Sequence, residues 1–279
     1  MHVLRKALAE FLHEDIGRGD ITSEILPNVI AKAEVICKER AVVAGLEEAG
    51  LLFELVRCKA RNLVKEGSVV KPYTPILTVT GNAKAILSAE RTALNILMRM
   101  SGIATETRRF VDEVKQVNHK VRIACTRKTA PGFRIFDKKA VKIGGGDTHR
   151  MRLDEMVLIK DNHLAIIGSV TKAVTKARQI HRHRFKIEVE VRSVEEAIEA
   201  IKTCAGIIML DNLTPNQVRS IVDVLHKENL RRKVMIEVSG GITHKNVKQY
   251  ASSDIDMISI GSLTHSVKAI DMSLEISGS

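Results

Sequence analysis

After residue 120 the chain repeats one pattern six times: a short apolar run, a polar residue where the run ends, and a segment long enough for a helix. The six runs are VRIACT, MVLIK, KIEVEV, GIIMLD, KVMIEVSGG and DMISIGS. Apolar strands that alternate with helices are typical of parallel sheets, because parallel neighbours need crossover connections. Six such units in succession indicate a parallel α/β barrel, complete or incomplete, more economically than an open sheet.

The part of the chain before residue 120 has a different pattern of apolar and polar residues. Between residues 31 and 80, short β-rich runs alternate with Gly and Pro, and the segment GLEEAGLLFELV has helical spacing. A long helical stretch follows, from about Ala83 to Gln116. These patterns predict a small α/β sandwich and a linking helix over residues 1–108. The barrel then takes residues 109–279, with a last helix free to pack back on the N-terminal domain.

The composition narrows the class of protein. No run of 18 uncharged apolar residues occurs, and the first 20 residues carry acids where an export signal has its apolar core, so we expect a cytoplasmic protein without a membrane span. The four cysteines lie far apart without a CxxC pair, which predicts reduced, mostly buried thiols. The net charge of +11 would suit nucleic acid, but Trp is absent and aromatic residues total 3%. An anionic small molecule therefore fits at least as well.

Positive charge is concentrated between Arg127 and Lys160. This stretch contains nine Lys and Arg residues and four acidic residues, so it carries +5 of the net charge of +11. Such an excess indicates a pocket for a polyanion. The candidate ligands in this stretch and directly before it are Thr126, Arg127, Lys128, His149, Arg150 and Lys160.

The remaining basic residues of this stretch have a simpler interpretation. Lys138, Lys139 and Lys142 are expected to face water from a helix, whereas Lys160 ends an apolar strand and fits a surface position poorly. His149 is either a hydrogen-bonded histidine of the core or a donor to a bound anion. The preceding glycines, 144–146, would supply a flexible loop that lets His149 and Arg150 turn inward.

Acidic residues end two neighbouring barrel strands. Strict alternation in KIEVEV places Glu188 and Glu190 on one face, which points inward if Ile187, Val189 and Val191 pack on helices. Asp211 ends the next strand at the same level. Buried carboxylates need cations or a metal. Glu190 and Asp211 could hold Mg²⁺ directly or through water, while the alternative for Glu190 is an internal salt bridge to a strand-end lysine.

Glycine turns follow the last two barrel strands. SGGI leads to a helix predicted to begin near Thr243, and IGSLTHS does the same one unit later. Glycine permits close backbone approach, and a helix start offers free N–H groups to a phosphate. In barrels, phosphate sites commonly lie after these strands. The predicted phosphate ligands are Ser239, Gly240, Gly241, Ile260, Gly261 and Ser262.

A series of motifs resembles one known family along almost the whole chain. EDIGRGDIT, AERTALNILMRMSGIAT, TRKTxPG, KAVxxGGGxxHR, LDxMVLIKDNH, EVEV, LDN, SGGI and IGxLTHS occur in this order. Together they are specific, and the chain resembles the quinolinate phosphoribosyltransferases (nicotinate-nucleotide pyrophosphorylases). The resemblance implies an N-terminal open-faced α/β sandwich, an incomplete TIM-like α/β barrel and a head-to-tail homodimer.

The resemblance also implies a reaction: quinolinate and phosphoribosyl pyrophosphate (PRPP) give nicotinate mononucleotide, pyrophosphate and CO₂ with Mg²⁺, in NAD biosynthesis. Cations of the basic stretch would bind the quinolinate carboxylates, and Arg91 would reach the site from the partner subunit. Lys128 would face pyrophosphate, and Lys128, Lys160, Glu190 and Asp211 would carry catalysis. His265 would lie near the phosphate turns.

Four alternatives remain open from the sequence. A nicotinate phosphoribosyltransferase would need fewer cations, and a transferase homologue associated with molybdenum transport shares RKT, GG and HR. Cys125 before TRKT is unexpected for a quinolinate enzyme. Lys160 at a strand end could instead form the Schiff base of an aldolase. A nucleic-acid-binding protein would need an exposed basic face.

Overall fold

The computed structural model describes residues 2–182 and 184–277, which form two compact units. One unit combines the chain up to Glu106 with Lys142–Gly144 and the segment from Val267. The other comprises Thr107–Val141 and Gly145–Ser266. The long linking helix crosses from one unit into the other.

The first unit is built on an antiparallel sheet. Its elements are α1 His2–Ile16, β1 Ile30–Cys37, β2 Ala41–Val42, α2 Leu46–Leu55, β3 Lys59–Asn62, β4 Val69–Val70, β5 Thr74–Asn82, the first part of α3 Ala83–Lys115, and β12 Met272–Ser277. The strand order is β12-β1-β5-β3, and β2 pairs with β4 separately. Ala33, Val35 and Cys37 alternate into the core along β1, as a half-buried strand requires. The predicted N-terminal α/β sandwich is confirmed.

The last described element corrects one expectation. Residues Met272–Ser277 form a strand and not a helix, and this strand pairs antiparallel with Lys32–Cys37 of β1. Without it β1 would be a sheet edge with unpaired backbone groups, which favours strand pairing over a terminal helix. The C-terminal segment therefore completes the N-terminal sheet. The exact boundary between the two sequence domains stays a prediction.

The second unit alternates strands and helices as the sequence pattern predicts. Its elements are β6 Arg122–Ala124, most of α4 Arg134–Ile143, β7 Val157–Ile159, α5 Asp161–Ile167, α6 Val170–His181, β8 Ile187–Val191, α7 Val194–Lys202, β9 Ile207–Asp211, α8 Pro215–Lys227, β10 Met235–Ser239, α9 Val247–Ala251, β11 Met257–Ser259 and α10 Ser262–His265. The six strands are parallel in the order β6-β11-β10-β9-β8-β7. Among the described residues β6 and β7 do not pair with each other, so the barrel is incomplete.

Two further expectations concern the whole chain. No helix in the described ranges is long and apolar enough to cross a bilayer. Cys37, Cys58 and Cys125 are free and buried, as predicted. Cys204 is free and exposed in the turn after α7, which agrees with thiols that are mostly but not all buried.

Gly102 tests how the C-terminal segment packs on α3. A β-carbon at Gly102 would overlap the backbone carbonyl of Lys268, although alanine is the better helix former. We expect Gly102→Ala to lower the free energy of unfolding by about 1–3 kcal/mol, because overpacking outweighs helix propensity. Denaturant unfolding measures this change. Gly50→Ala is the control, since a β-carbon there meets only Ala60 at 4.0 Å and should stabilise α2. Equal effects of the two substitutions would contradict the predicted contact.

Candidate active site

A cavity of about 320 Å³ lies at the carboxyl ends of the parallel strands. Because parallel strands run in one direction, the residues that end them meet at one edge. The cavity is lined by Cys125, Thr126, Arg127, Lys128, His149, Arg150, Leu158, Lys160, Glu190, Met209, Asp211, Glu237, Ser239 and Ser259. The structure therefore brings together all the predicted ligands of the basic stretch, both strand-end carboxylates and the first residue of one glycine turn.

One side of the cavity carries two arginines. Arg150 donates from its guanidinium to the Met156 carbonyl at 3.1 Å, and the buried Arg127 Nε has no hydrogen-bond partner among the described residues. Burial lowers the pKa of Arg150, and the positive charge of Arg127 lowers it further. Two cations held this close repel each other unless an anion lies between them. This side of the cavity is suited to a carboxylate or phosphate.

His149 lies against two buried acids. Its Nε2 is 3.1 Å from Glu237 Oε2 and 3.4 Å from Glu188 Oε2, while its Nδ1 accepts the Arg150 N–H at 2.8 Å. Burial lowers the pKa of His149, but the two carboxylates outweigh it and raise the pKa. The Arg150 N–H limits this rise, because an imidazolium would carry its second proton on Nδ1. Whether the imidazole of His149 is neutral or protonated, its Nε2 proton lies between the carboxylates of Glu188 and Glu237. His149 is thus hydrogen-bonded in the manner of a core histidine.

The carboxylates on β8 point inward as the alternation predicts. Glu188 is 0% exposed and Glu190 is 9% exposed. Lys160 Nζ forms an ion pair with Glu190 Oε1, so the predicted alternative of an internal salt bridge is present. At the end of β9, Asp211 Oδ2 accepts a hydrogen bond from the side-chain amide of Asn212 at 2.8 Å. Glu190 and Asp211 therefore face the cavity with oxygen atoms, which are the ligands Mg²⁺ prefers.

The prediction that Lys138 faces water is wrong. Lys138 is 1% exposed and donates from Nζ to the Thr148 carbonyl at 2.5 Å and the Arg150 carbonyl at 2.6 Å. The error arose because helix periodicity does not reveal which distant backbone groups can accept from a buried ammonium. Lys142 is exposed as predicted, and Lys139 is partly exposed.

The glycine turns after β10 and β11 flank the cavity. Gly240 and Gly241 have φ values of 93° and 63°, which favour glycine, and they follow the cavity residue Ser239. A β-carbon at Gly261 would lie 3.1 Å from Lys128 Cδ and 3.2 Å from the His265 ring. Thr264 Oγ1 donates to the Lys128 carbonyl at 2.8 Å. This hydrogen bond joins the segment after β11 to the backbone of Lys128.

The helices after these turns differ from the prediction. α9 begins at Val247 instead of near Thr243, because Thr243 to Asn246 form a turn closed by the Asn246 side chain. α10 contains only Ser262–His265. Ile260 is buried behind the turn, and Ser262 begins α10. Phosphate binding at these turns would therefore use the glycine backbone more than a long helix dipole.

The glycine loop before His149 is tighter than predicted. A β-carbon at Gly146 would lie 2.8 Å from both Thr107 Cγ2 and Val141 Cγ1. Gly145 has a φ of 94°. Asp147 then pairs with β6, since its N–H donates to Ile123 and its carbonyl accepts from Cys125. These glycines permit close packing, and the loop is fixed instead of flexible.

Arg91 is not among the cavity residues. It is exposed on the part of α3 that belongs to the first unit. Its contribution from a partner subunit stays a prediction, as do the individual roles of the other candidate residues.

Several cavity residues were missing from the sequence prediction: Cys125, Leu158, Met209, Glu237 and Ser259. Glu237 had a usable signal, because Met235, Glu237 and Ser239 alternate on one face of β10 and Ser239 was already placed inward. Cys125 donates weakly to the Thr148 carbonyl at 3.4 Å, and burial raises the pKa of its thiol to about 11. Its presence beside Thr126 is structural.

A second cavity of about 410 Å³ lies at the amino end of β10. Its central cation, Arg231, is 5% exposed and pairs with Asp256 at 2.9 Å and with the Asp254 carboxylate at 3.4 Å. The charge of Arg231 is thus already neutralised. In parallel α/β barrels, active sites lie at the opposite face.

Comparisons with known proteins cover both parts of the chain. Residues 20–101 match the model of the quinolinate phosphoribosyl transferase N-terminal domain, and residues 103–275 match that of its C-terminal domain. A probable nicotinate-nucleotide pyrophosphorylase [carboxylating] of Archaeoglobus fulgidus is 45% identical over 92% of this chain and 98% of its own. The corresponding Methanocaldococcus jannaschii protein is 46% identical over 97% and 96%.

Solved structures show the same relationship. The nicotinate-nucleotide pyrophosphorylase from Francisella tularensis has a TM-score of 0.90 and 35% identity, covering 99% of this chain and 96% of its own. The two family models and this structural match cover both domains. The chain therefore belongs to the quinolinate phosphoribosyltransferase family.

Proposed function

We propose that this protein transfers the phosphoribosyl group of PRPP to quinolinate and releases CO₂, giving nicotinate mononucleotide and pyrophosphate for NAD biosynthesis. The observation that carries the proposal is the like-charge pair Arg127 and Arg150 in a cavity that also contains Lys160. Quinolinate has two adjacent carboxylates, and this side of the cavity offers them cations in excess. The family relationship supports the same reaction.

The basic side of the cavity would bind quinolinate. Arg127 and Arg150 have planar guanidinium groups that can bind a carboxylate through two hydrogen bonds. Lys160 is free to leave Glu190 for a carboxylate, since its side chain is 46% exposed. Thr126 and His149 also line the cavity and would contribute to the quinolinate site. His149 would do so because it directly precedes Arg150.

The opposite side would bind PRPP. Lys128 lies beside Gly261 and His265, where it would face the pyrophosphate. The backbone of the two glycine turns would receive the 5′-phosphate, with Ser239 at the cavity wall. The reacting C1 of the ribose would then lie between the two sides, which places the pyridine nitrogen opposite the leaving group.

Mg²⁺ fits the two strand-end carboxylates. Glu190 and Asp211 line the same cavity and supply only hard oxygen ligands, as Mg²⁺ sites with phosphate substrates usually do. The ribose hydroxyls would share this position. When bound, Mg²⁺ would stabilise the negative charge on the departing pyrophosphate.

Catalysis would depend on charge stabilisation. Departure of pyrophosphate leaves an oxocarbenium-like ribosyl cation, so Lys128 would stabilise the leaving group and the Glu190 carboxylate the cation. No strong nucleophile is needed beyond the pyridine nitrogen. Once that nitrogen is ribosylated, its positive charge stabilises the carbanion left when the neighbouring carboxylate departs as CO₂. The carbanion then takes a proton from water to give nicotinate mononucleotide.

The alternative functions fit the cavity less well. An aldolase lysine needs a neutral amine, but Lys160 is ion-paired with Glu190 in the open cavity. Nicotinate has one carboxylate and would leave a cation of this side unused. Nucleic acid would not explain a concave site that combines buried acids with glycine turns.

A direct assay tests the proposed reaction. Protein, Mg²⁺ and PRPP are mixed with either quinolinate or nicotinate, and CO₂ and the mononucleotide are measured. We expect both products with quinolinate, none with nicotinate, and loss of turnover when EDTA removes the metal. Turnover of nicotinate without quinolinate turnover would refute the proposal.

Lys160→Ala should remove one cation from the carboxylate-binding side. By analogy with other lost charge-stabilising donors, we expect kcat/KM for quinolinate to fall about 100-fold or more, or roughly 3 kcal/mol. Steady-state kinetics measures the change. Lys172→Ala, an exposed lysine on α6, is the matched control. A Lys160→Ala enzyme with wild-type kcat/KM would exclude Lys160 from the site.

Complementation tests the proposed donation of Arg91 across a homodimer. Arg91→Ala and Lys160→Ala should each retain only a small fraction of wild-type activity alone. Mixed under conditions that exchange subunits, they should regain activity at about a quarter of the sites, because one site of each mixed dimer combines an intact Lys160 with an intact Arg91 from the other chain. Activity is measured before and after exchange. No recovery, despite mixed dimers detected by mass spectrometry, would place Arg91 in its own chain's site or in none.

A further inference from the structure

Lys138 is the buried lysine that the proposed reaction does not use. It lies in the middle of α4 and is 1% exposed. A buried ammonium is costly unless several acceptors surround it. Its hydrogen-bond partners within the described chain are two backbone carbonyls and no carboxylate. Burial accordingly lowers its pKa.

The two carbonyls belong to the residues on either side of His149. Lys138 Nζ donates to Thr148 at 2.5 Å and to Arg150 at 2.6 Å. His149 itself has a φ of 51°, a left-handed conformation that is unfavourable for a residue with a β-carbon. Such a conformation persists only where the surroundings hold it. The ammonium of Lys138 is one such restraint, since it binds the carbonyls on both sides of the strained residue.

Other contacts hold this loop on both sides of His149. The Asp147 N–H donates to the Ile123 carbonyl at 2.7 Å, and Asp147 Oδ1 accepts the His149 N–H at 2.7 Å. Past His149, Lys138 binds the Arg150 carbonyl, and the Arg150 guanidinium donates to the Met156 carbonyl at 3.1 Å. Without Lys138 the loop would keep its other attachments but lose the donor shared by the carbonyls of Thr148 and Arg150. The backbone from which the Arg150 side chain extends would then be less defined.

Lys138 acts through the loop and not on the substrate. It is absent from the residues that line the cavity, whereas His149 and Arg150 are among them. A group that binds in a fixed orientation loses less conformational entropy when the ligand arrives. We infer that Lys138 is a positioning residue, whose ammonium presets the Thr148–Arg150 loop for the carboxylates of the substrate. This inference rests on the proposed function of Arg150 and deepens it.

Substitution of Lys138 tests the inference. Lys138→Met keeps the length of the side chain but removes its donors, and Lys138→Gln keeps a shorter amide donor. We expect the quinolinate KM to rise about 10- to 100-fold in Lys138→Met and less in Lys138→Gln, with the PRPP KM within about twofold of wild type, because a displaced binding group weakens only its own ligand. Lys142→Met, on the exposed side of the same helix, is the control.

Hydrogen exchange separates positioning from a general loss of stability. In Lys138→Met the amides of His149 and Arg150 should exchange at least about tenfold faster, while those of β8 to β10 keep their wild-type protection. Faster exchange throughout the barrel, or equal increases in the KM of both substrates, would show a merely structural role. An unchanged quinolinate KM in either folded variant would also overturn the inference.

The unliganded wild-type protein provides a test that needs no variant. If Lys138 presets the loop, the His149 and Arg150 amides should be protected before any substrate is added. Exchange at the rate of a free loop would overturn the inference even if neither variant folds. This measurement does not depend on turnover, so failure of the quinolinate assay would refute the proposed reaction and leave the positioning of the loop to be judged separately.

Discussion

The shared direction of the six strands β6 to β11 is the constraint on which the site depends. Because these strands are parallel, the residues that end them converge on one edge even when they are 50 or more residues apart in sequence, as Lys160 and Asp211 are. Alternation along each strand then decides which side chains enter the cavity. Glu190, Met209 and Glu237 enter by this rule, and the glycine turns follow from the strand ends. Position on a strand thus fixes much of the chemistry.

Burial of charge is the second constraint, and the protein meets it in two ways. Glu190 is paired with Lys160, while Glu188 and Glu237 share the one proton of His149 Nε2. Lys138 is compensated by backbone carbonyls instead of by an acid. This difference has a consequence for the site. The carbonyl partners leave the positive charge of Lys138 in place behind the Thr148–Arg150 loop, so the basic side of the cavity keeps its excess of cations for a ligand.

Much of the fold could be predicted from periodicity. The six barrel strands and the long helix α3 appear close to their predicted bounds, because each has a strong and uninterrupted pattern of its own. The C-terminal strand was mistaken for a helix, because its identity depends on an open edge at β1 that no local pattern records. Most of the cavity residues were also identifiable, since polar residues at strand ends stand out against apolar runs. Glu237 was missed although the alternation that placed Ser239 inward applies to it as well.

The sequence by itself determined the class of fold, the face that carries the site and the excess of cations there, because these follow from periodicity and composition along the chain. Only the tertiary structure decided which cations remain available for a ligand. Lys138 and Lys142 lie four residues apart on one helix, yet the first is buried beneath the site and the second faces water. The physical reason is that a charge can be buried only where acceptors from elsewhere in the fold surround it. Of these two lysines, Lys138 is the one that donates to the carbonyls of Thr148 and Arg150.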